Sequence, residues 1–192
     1  LAERIGSMMA TMSNGPVKKV EVQYRGSIAE REVSLLTTSF TIGLLQPHFD
    51  SPVNMVNVSL LAKERDISID ETKNSDIKDL VSSFSAKVVT DKGERSITGT
   101  VFGEALLRIV DIDGFKIEMT PAGTVLIIFN DDKPGVIGSV GSVCGKHGIN
   151  ISTMGVGQKH DEGKAVLAVS LDAKPDEKAI DELGKLDFVN EL

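Results

Sequence analysis

One stretch of the chain, NDDKPGVIGSVGSVCGKHGINI, holds the residues whose types and spacing could bind a ligand. Pro134 suits the first turn of a helix. The backbone N–H groups that follow, beginning at Gly135, lack intrahelical acceptors and can hold a carboxylate. Asp132 can accept hydrogen bonds from an ammonium group, and Asn130 and Asn150 can each donate and accept them. A carboxylate site, an ammonium site and two amides together predict a site for a small polar amino acid.

The same residues also have a purely structural interpretation. Asp132 is a suitable N-cap for the helix that follows, and Asn150 is a suitable turn residue after Gly148. Spacing alone leaves both interpretations open.

The glycines of this stretch do not form a nucleotide-binding loop. Their spacing matches neither G-x-G-x-x-G nor a Walker sequence, and they fall within the predicted helix at Gly135, Gly138, Gly141 and Gly145. Glycine inside a helix costs about 1 kcal/mol relative to alanine. We therefore expect these glycines to let a helix, a sheet or a partner chain approach closely, with direct contact to a ligand as the alternative.

The elements that must position this site follow the order β-α-β-β-α-β. Pro121, Ala122 and Gly123 mark the start of this second domain, residues 121–192. The order is that of the split βαβ unit of ferredoxin-like folds. The predicted elements are the strand TVLIIFN, the helix 134–147, the strands INISTMGVG and KAVLAVSLD, the helix 175–185 and the strand LDFVNEL.

Residues 1–120 predict a separate α+β domain with an antiparallel sheet. Three helices are expected: LAERIGSMMATM, residues 32–45, and a helix that Ser51 and Pro52 open and that continues through VNMVNVSLLAKER. Turn residues at 91–93 and 113–114 predict hairpins. Short alternating segments predict the strands VKKVEVQYRG, DISIDETK, SFSAKVVTD, RSITGTVFG, LLRIVDI and FKIEMT.

The composition argues against several classes of protein. The chain has 192 residues, a net charge of −7 and no basic stripe with interleaved aromatic residues, so nucleic-acid binding is a poor hypothesis. Its longest uncharged run, from Val33 to Phe49, is shorter than the ~20 apolar residues of a membrane span, and we expect a buried helix there. The one cysteine, Cys144, cannot form an internal disulfide or hold an iron–sulfur cluster alone.

Catalysis within these residues is not expected. The three histidines are His48, His147 and His160, and none is spaced to pair with Cys144 or with a serine in a nucleophilic arrangement. No cluster of metal-ligand residues is apparent. We expect no catalytic residue, no metal and no cofactor in this part of the protein.

Two sets of motifs resemble known families. The β-α-β-β-α-β order, with a strand ending in NDDKPGVIG and a helix ending in HGINI, resembles the ACT domain, a small-molecule regulatory module. Upstream, VNMVNVSLLAKERDI, SITGTVFG and LRIVDIDGFKIEM resemble the intervening domain of long-form D-3-phosphoglycerate dehydrogenase. The resemblance covers nearly the whole chain. It implies the C-terminal regulatory part of such an enzyme, with an intervening, allosteric-substrate-binding-like domain at 1–120 and an ACT domain at 121–192.

The resemblance implies a function for the parent protein and for this part of it. The parent would be a cytoplasmic oxidoreductase of L-serine biosynthesis, oxidising 3-phosphoglycerate with NAD on catalytic domains that lie upstream. This part would bind L-serine as a feedback effector and form homo-oligomers through its ACT domains. Carried over by motif, the effector site falls on Asn130, Asp132 and Asn150, with Pro134 and Gly135 at the helix start.

The resemblance also implies an anion-binding site in the intervening domain. Arg108 matches a basic position of the family, and Lys116 substitutes for a second basic position that falls on Thr120, which is uncharged here. A solvated surface arginine is the alternative interpretation of Arg108.

Two other functions stay open at this point. The chain could be the regulatory subunit of an iron–sulfur L-serine dehydratase, which pairs a related domain with an ACT domain. It could instead be an oligomerisation module whose ACT pocket holds no effector. Saturable binding of an amino acid would separate a serine sensor from the bare module.

Overall fold

The computed structural model describes residues 1–77, 80–159 and 162–192, which form two compact units, Leu1–Gly114 and Phe115–Leu192. His160, one of the three histidines considered above, lies outside the described residues. The division falls at Gly114 rather than after residue 120, because the strand that starts at Phe115 packs within the second unit.

The first unit packs helices against one face of a sheet whose strands within Leu1–Gly114 follow the order β2-β1-β3-β4-β5. The alternation of apolar and polar residues explains why β1 is a strand with one buried face. Val20, Val22 and Tyr24 are fully buried, and their polar neighbours are more exposed. The elements are α1 (Ala2–Met12), β1 (Val17–Gly26), α2 (Ser34–Leu45), α3 (Val58–Glu64), β2 (Ser68–Asn74), β3 (Ser82–Thr90), β4 (Gly93–Phe102) and β5 (Leu106–Ile112).

One strand pair of this sheet departs from the predicted antiparallel arrangement. β1 and β2 are parallel, with Val20 opposite Ile69, whereas the β1–β3, β3–β4 and β4–β5 pairs are antiparallel. Parallel neighbours need a long crossover connection. The chain supplies one here, because α2 and α3 lie between β1 and β2.

Helix α3 begins later than the sequence predicts. It starts at Val58, and Ser51 and Pro52 lie outside it. The backbone N–H of Asn54 donates to the side-chain oxygen of Asn57 at 2.8 Å, and the Asn57 N–H donates back to the Asn54 side chain at 3.2 Å. This reciprocal pair fixes a turn, and short polar side chains that bond the backbone in this way compete with helix formation.

Helices α1 and α2 meet in direct backbone contact. A Cβ atom built on Gly6 would lie 2.1 Å from the carbonyl oxygen of Phe40, and one built on Gly43 would lie 2.0 Å from that of Glu3. No side chain fits at such distances, so glycine is required on both helices.

The second unit contains a four-stranded antiparallel sheet in the order β10-β7-β9-β8. This order and its two helices confirm the predicted ferredoxin-like βαββαβ domain. The elements are β6 (Phe115–Met119), β7 (Thr124–Asp131), α4 (Val136–Lys146), β8 (Ile151–Lys159), β9 (Lys164–Leu171), α5 (Glu177–Gly184) and β10 (Val189–Glu191).

The second sheet packs against two helices on one face and against the strand β6 on the other. One face forms a core with α4 and α5, in which Ile128, Val140 and Leu183 are buried. The strand β6 lies against β8, where Cβ atoms built on Gly155 and Gly157 would come within 2.8 and 2.7 Å of β6 carbonyl oxygens. The strand β6 is therefore part of the second unit.

Over the described ranges, no helix combines the length and apolar character needed to cross a membrane. The uncharged run from Val33 to Phe49 instead forms α2 and a short 3-10 turn. Phe40 and Leu44 of α2 are fully buried.

Candidate functional site

The candidate site lies where β7 ends and α4 begins. Leu126 and Ile128 of β7 belong to the core beneath α4 and α5. The two-residue period of a strand puts Asn130 on the same face. Asn130 is only 2% exposed, so an amide occupies a position where the pattern of the strand calls for an apolar residue.

Only one of the two polar atoms of the Asn130 side chain has a hydrogen-bond partner among the described residues. Its Nδ2 donates to the backbone oxygen of Asp131 at 2.7 Å, whereas its Oδ1 is buried and has no hydrogen-bond partner among the described residues. Leaving a buried acceptor unpaired costs about 1–3 kcal/mol. A buried acceptor of this kind can be satisfied by a water molecule or by a ligand that donates a hydrogen bond.

The start of α4 is shaped by Gly135. This residue is the N-cap, with a left-handed φ of +92°, and its carbonyl oxygen accepts the N–H of Ser139 at 2.9 Å. In the described part of the chain, no side chain caps this helix. The interpretation of Asp132 as an N-cap is therefore wrong, and no described side chain caps the first N–H groups of α4.

Asp132 is held from two sides. Its backbone N–H donates to the carbonyl oxygen of Gly163 at 3.0 Å. Its carboxylate oxygens accept from the Nε2 of Gln158, at 3.1 Å for Oδ1 and 3.0 Å for Oδ2. Both side chains lie on exposed residues, so the carboxylate is placed at the surface, beside the helix start.

Asp131 is the centre of an ionic network next to this site. Its carboxylate contacts Lys164 Nζ at 2.6 Å, Lys133 Nζ at 3.1 Å and Asn190 Nδ2 at 3.3 Å. Lys164 above all, then Lys133 and Asn190, hold the pKa of Asp131 well below its ordinary value. The network ties β10 to the end of β7 and helps to position the loop that Asp132 begins.

Asn150 lies at the opposite end of the same sheet. Its carbonyl oxygen accepts the N–H of Asp172, whereas Asn130 stands opposite Ala165 on β9. At about 3.3 Å per residue along a strand, the two asparagines are about 20 Å apart. The single chain therefore brings together Asn130, Asp132, Pro134 and Gly135 but not Asn150.

The two basic residues of the anion-site hypothesis fall in different units. Arg108 lies on β5 of the first unit, and its guanidinium donates to the carbonyl oxygen of Leu107 at 2.9 Å. Lys116 lies on β6 of the second unit and is exposed. The anion site at Arg108 and Lys116 stays a prediction.

The glycines within α4 are not used for packing inside the chain. Cβ atoms built on Gly138, Gly141 and Gly145 would meet no described heavy atom within 4 Å. Their surface is open among the described residues, so the predicted close contact with a helix or a sheet of the same chain is not found there. Contact of these glycines with a ligand or with a second copy of the chain stays a prediction.

The remaining reactive groups have structural surroundings. Cys144 is buried in the core, and burial raises the pKa of its thiol. His147 Nε2 lies 2.9 Å from Glu182 Oε2 and joins the end of α4 to α5. The residues that the structure describes contain no group of three or more histidine, cysteine or acidic side chains that could hold a metal ion.

Sequence reasoning missed two residues of the site. Asp131 stands between two chosen residues, but its partners Lys164 and Asn190 are distant in sequence. Gln158 reaches Asp132 because β8 returns antiparallel to β9, towards the end of β7. The alternating pattern of β8 does not predict the contact between Gln158 and Asp132. Asn130 could be predicted, because it is a polar residue that follows Leu126 and Ile128 on the apolar face of β7.

Comparison with known proteins agrees with this architecture. The ferredoxin-like second unit is an ACT domain, since the ACT domain model matches residues 124–188. The model of the D-3-phosphoglycerate dehydrogenase intervening domain matches residues 1–113. The chain belongs to the D-3-phosphoglycerate dehydrogenase family. The strand β6 lies between the two matched ranges.

Three relatives show how far the similarity extends, and each is a D-3-phosphoglycerate dehydrogenase. The Bacillus subtilis protein is 40% identical over 95% of this chain and 35% of its own length. The Synechocystis protein is 34% identical over 97% and 34%, and the Methanocaldococcus jannaschii protein is 31% identical over 100% and 36%. The chain thus spans about a third of the length of these relatives.

Proposed function

We propose that this chain is the regulatory and oligomerisation part of a D-3-phosphoglycerate dehydrogenase and that its ACT domain binds L-serine, or a similar small polar amino acid, as an effector. The observation that carries the proposal is Asn130, a buried amide whose Oδ1 lacks a partner in the described chain, next to an uncapped helix start. A ligand that donates a hydrogen bond there removes a cost of about 1–3 kcal/mol.

Each group of a small amino acid has a counterpart at this site. The carboxylate would lie at the N-terminus of α4, where exposed N–H groups and the helix dipole favour an anion. The ammonium group would bind Asp132, whose carboxylate lies at the surface. A side-chain hydroxyl would donate to Asn130 Oδ1, which favours serine over glycine or alanine.

Asn150 would reach the ligand from a second copy of the chain. β8 is an edge strand of the four-stranded sheet, and its Ile151 end is next to Asn150 while its Lys159 end is near Asp132. Antiparallel pairing of two β8 edges about a two-fold axis would put the Asn150 end of each copy beside the Asp132 end of the other. A ligand bridging the copies would favour one orientation of them through its differential affinity.

The activity of the parent protein belongs to the same proposal. The relatives are named D-3-phosphoglycerate dehydrogenases, which supports an NAD-dependent oxidation of 3-phosphoglycerate by residues beyond this sequence. Serine would then be the end product that returns to the regulatory part. A cytoplasmic location completes the proposal, and the single cysteine of the chain supports it.

A mixing experiment tests the two-copy site directly. Asp132→Ala and Asn150→Ala chains are each expected to bind L-serine about tenfold or more weakly than the wild type, because each loses a hydrogen bond to the ligand. A dimer of one Asp132→Ala and one Asn150→Ala chain has one doubly altered site and one intact site. Calorimetry of the mixture should therefore recover wild-type affinity at a fraction of the sites, with the assembly followed by light scattering.

Two outcomes would overturn parts of the proposal. If the mixture binds no better than either variant alone, Asn150 does not complete the site from a second copy. If the wild-type assembly binds neither L-serine nor glycine nor D-serine, the domain is an oligomerisation module without an effector. The match to the dehydrogenase intervening domain supports this family over the alternative of a serine dehydratase subunit.

A further inference from the structure

We propose that Gln158 occupies the ammonium position of the ACT site in the ligand-free chain and has to be displaced before an amino acid binds. The inference rests on the proposed function of that site. It adds a residue that sets the concentration at which the site responds.

The geometry of the contact identifies Gln158 as a stand-in for the ligand. Its Nε2 lies 3.1 Å from Oδ1 and 3.0 Å from Oδ2 of Asp132, so one nitrogen straddles both oxygens of the carboxylate. An incoming ammonium nitrogen prefers the same position, since it also donates N–H bonds to both oxygens. The two nitrogens cannot both be there.

The fold holds the two partners of this contact in place. Gln158 is the residue before the last of β8 and stands opposite Ala165 on β9. The backbone of Asp132 is bonded to Gly163, in the connection between β8 and β9. The contact is therefore a product of the antiparallel β8–β9 pair, and it forms without a second copy of the chain.

An amino acid can displace Gln158 from Asp132 because its ammonium group is charged and because Gln158 is exposed. A neutral amide donor is replaced by a charged ammonium donor, which makes the stronger bond to a carboxylate. Gln158 is an exposed residue, so its released amide can be solvated by water. The site still loses the Gln158–Asp132 interaction on binding, and this loss weakens the apparent affinity.

Removing the amide should therefore strengthen binding. We expect Gln158→Ala and the similarly long Gln158→Met to bind L-serine about fivefold more tightly than the wild type, which corresponds to a net hydrogen bond of ordinary strength. In an Asp132→Asn background, Gln158→Ala should give no gain, because the carboxylate that both nitrogens compete for is gone. Titration calorimetry of the four variants measures the coupling.

Whether the Gln158 variants bind L-serine more tightly or more weakly than the wild type tests the inference. If Gln158→Ala and Gln158→Met bind L-serine as the wild type does, or more weakly, Gln158 does not compete with the ligand and the inference is wrong while the proposed function stands. If no variant binds any amino acid, the proposed function fails and this inference fails with it.

A ligand-free measurement tests the contact itself. The side-chain amide signals of Gln158, assigned in NMR spectra by their absence from Gln158→Met, should shift when Asp132 is replaced by Asn. The same signals should move towards the position typical of a solvated amide when L-serine saturates the wild type. Signals that respond to neither change would contradict the proposal.

Discussion

Two helical regions of this molecule use glycine in opposite ways. Gly6 of α1 and Gly43 of α2 stand where a Cβ atom would come within 2.1 Å of the neighbouring helix backbone. Gly138 and Gly141 of α4 face no described heavy atom within 4 Å. The same residue type thus marks completed packing in the first unit and an open surface in the second.

The difference shows where the molecule has contacts left to make. The α1–α2 glycines are fully used by the fold of the first unit. The start of α4 combines an open glycine surface with the unpartnered Oδ1 of Asn130 in the described chain and with an edge strand, β8. These features lie on α4 and on the strands next to it, and each can be tested by substitution.

The largest effect is expected for Gly43→Ala. The new methyl group would overlap the carbonyl oxygen of Glu3, and relieving the overlap requires α1 and α2 to separate. We expect the first unit to lose about 3 kcal/mol of unfolding free energy. Tyr24, the single tyrosine, lies in this unit, so its fluorescence during urea unfolding reports on it alone. An unchanged midpoint would mean that the helices do not pack in backbone contact.

Asn130→Leu should separate binding from stability. An apolar side chain of similar shape continues the core row of Leu126 and Ile128 and removes the unpaired buried oxygen. We expect the second unit to gain about 1 kcal/mol of unfolding free energy, while the affinity for L-serine falls about tenfold or more. The reactivity of buried Cys144 towards a thiol reagent reports on opening of this unit. A variant that is less stable and still binds would contradict the assignment of Asn130.

Gly141→Ala should have a small effect of the opposite sign from Gly43→Ala. Alanine stabilises a helix interior by up to about 1 kcal/mol relative to glycine, and the methyl group meets open space here. We expect Cys144 to react about two- to fivefold more slowly in this variant at low protein concentration. Faster reaction would mean that the surface of α4 is not open in the protein in solution.

The smallest effect is expected for the Asp131 network at acidic pH. The pKa of Asp131 is lowered in the folded chain from its ordinary value of 3.8. Its contribution to stability is therefore fully present above that value and is lost as the pH falls towards the lowered pKa. NMR-detected urea unfolding of the second unit should fall less steeply with decreasing pH in Asp131→Asn than in the wild type. Equal slopes would show that the lysine contacts do not stabilise the folded chain.

Much of the fold could be predicted because it is encoded locally. Alternation places Val20, Val22 and Tyr24 on the inner face of β1, and the order of strands and helices in the second half indicates the ferredoxin-like domain. The parallel pairing of β1 with β2 could not be predicted in this way, because alternation is the same for both orientations of a partner strand. The delayed start of α3 depends on a side-chain pair, Asn54 and Asn57, that competes with an otherwise good helix start.

The candidate site, like the fold, has one part that the sequence predicts and one part that it does not. The helix start at Gly135 and the polar residue at 130 could be inferred from residue type and spacing. The contacts of Asp131 with Lys164 and of Asp132 with Gln158 depend on strands that return from distant parts of the sequence. The glycines show most clearly what spacing cannot predict. Their spacing predicts close packing at α4, whereas the close contact between helices is at Gly6 and Gly43.

The most direct test of the central claim is a calorimetric titration of the wild-type chain with L-serine, repeated with glycine and D-serine. Saturable binding of L-serine that is stronger than binding of either control, and that is lost in Asn130→Leu and Asp132→Ala, is the expected result. Absence of heat from a folded assembly, or equal binding by the Asn130→Leu variant, would contradict the claim that the end of β7 and the start of α4 form an amino-acid site.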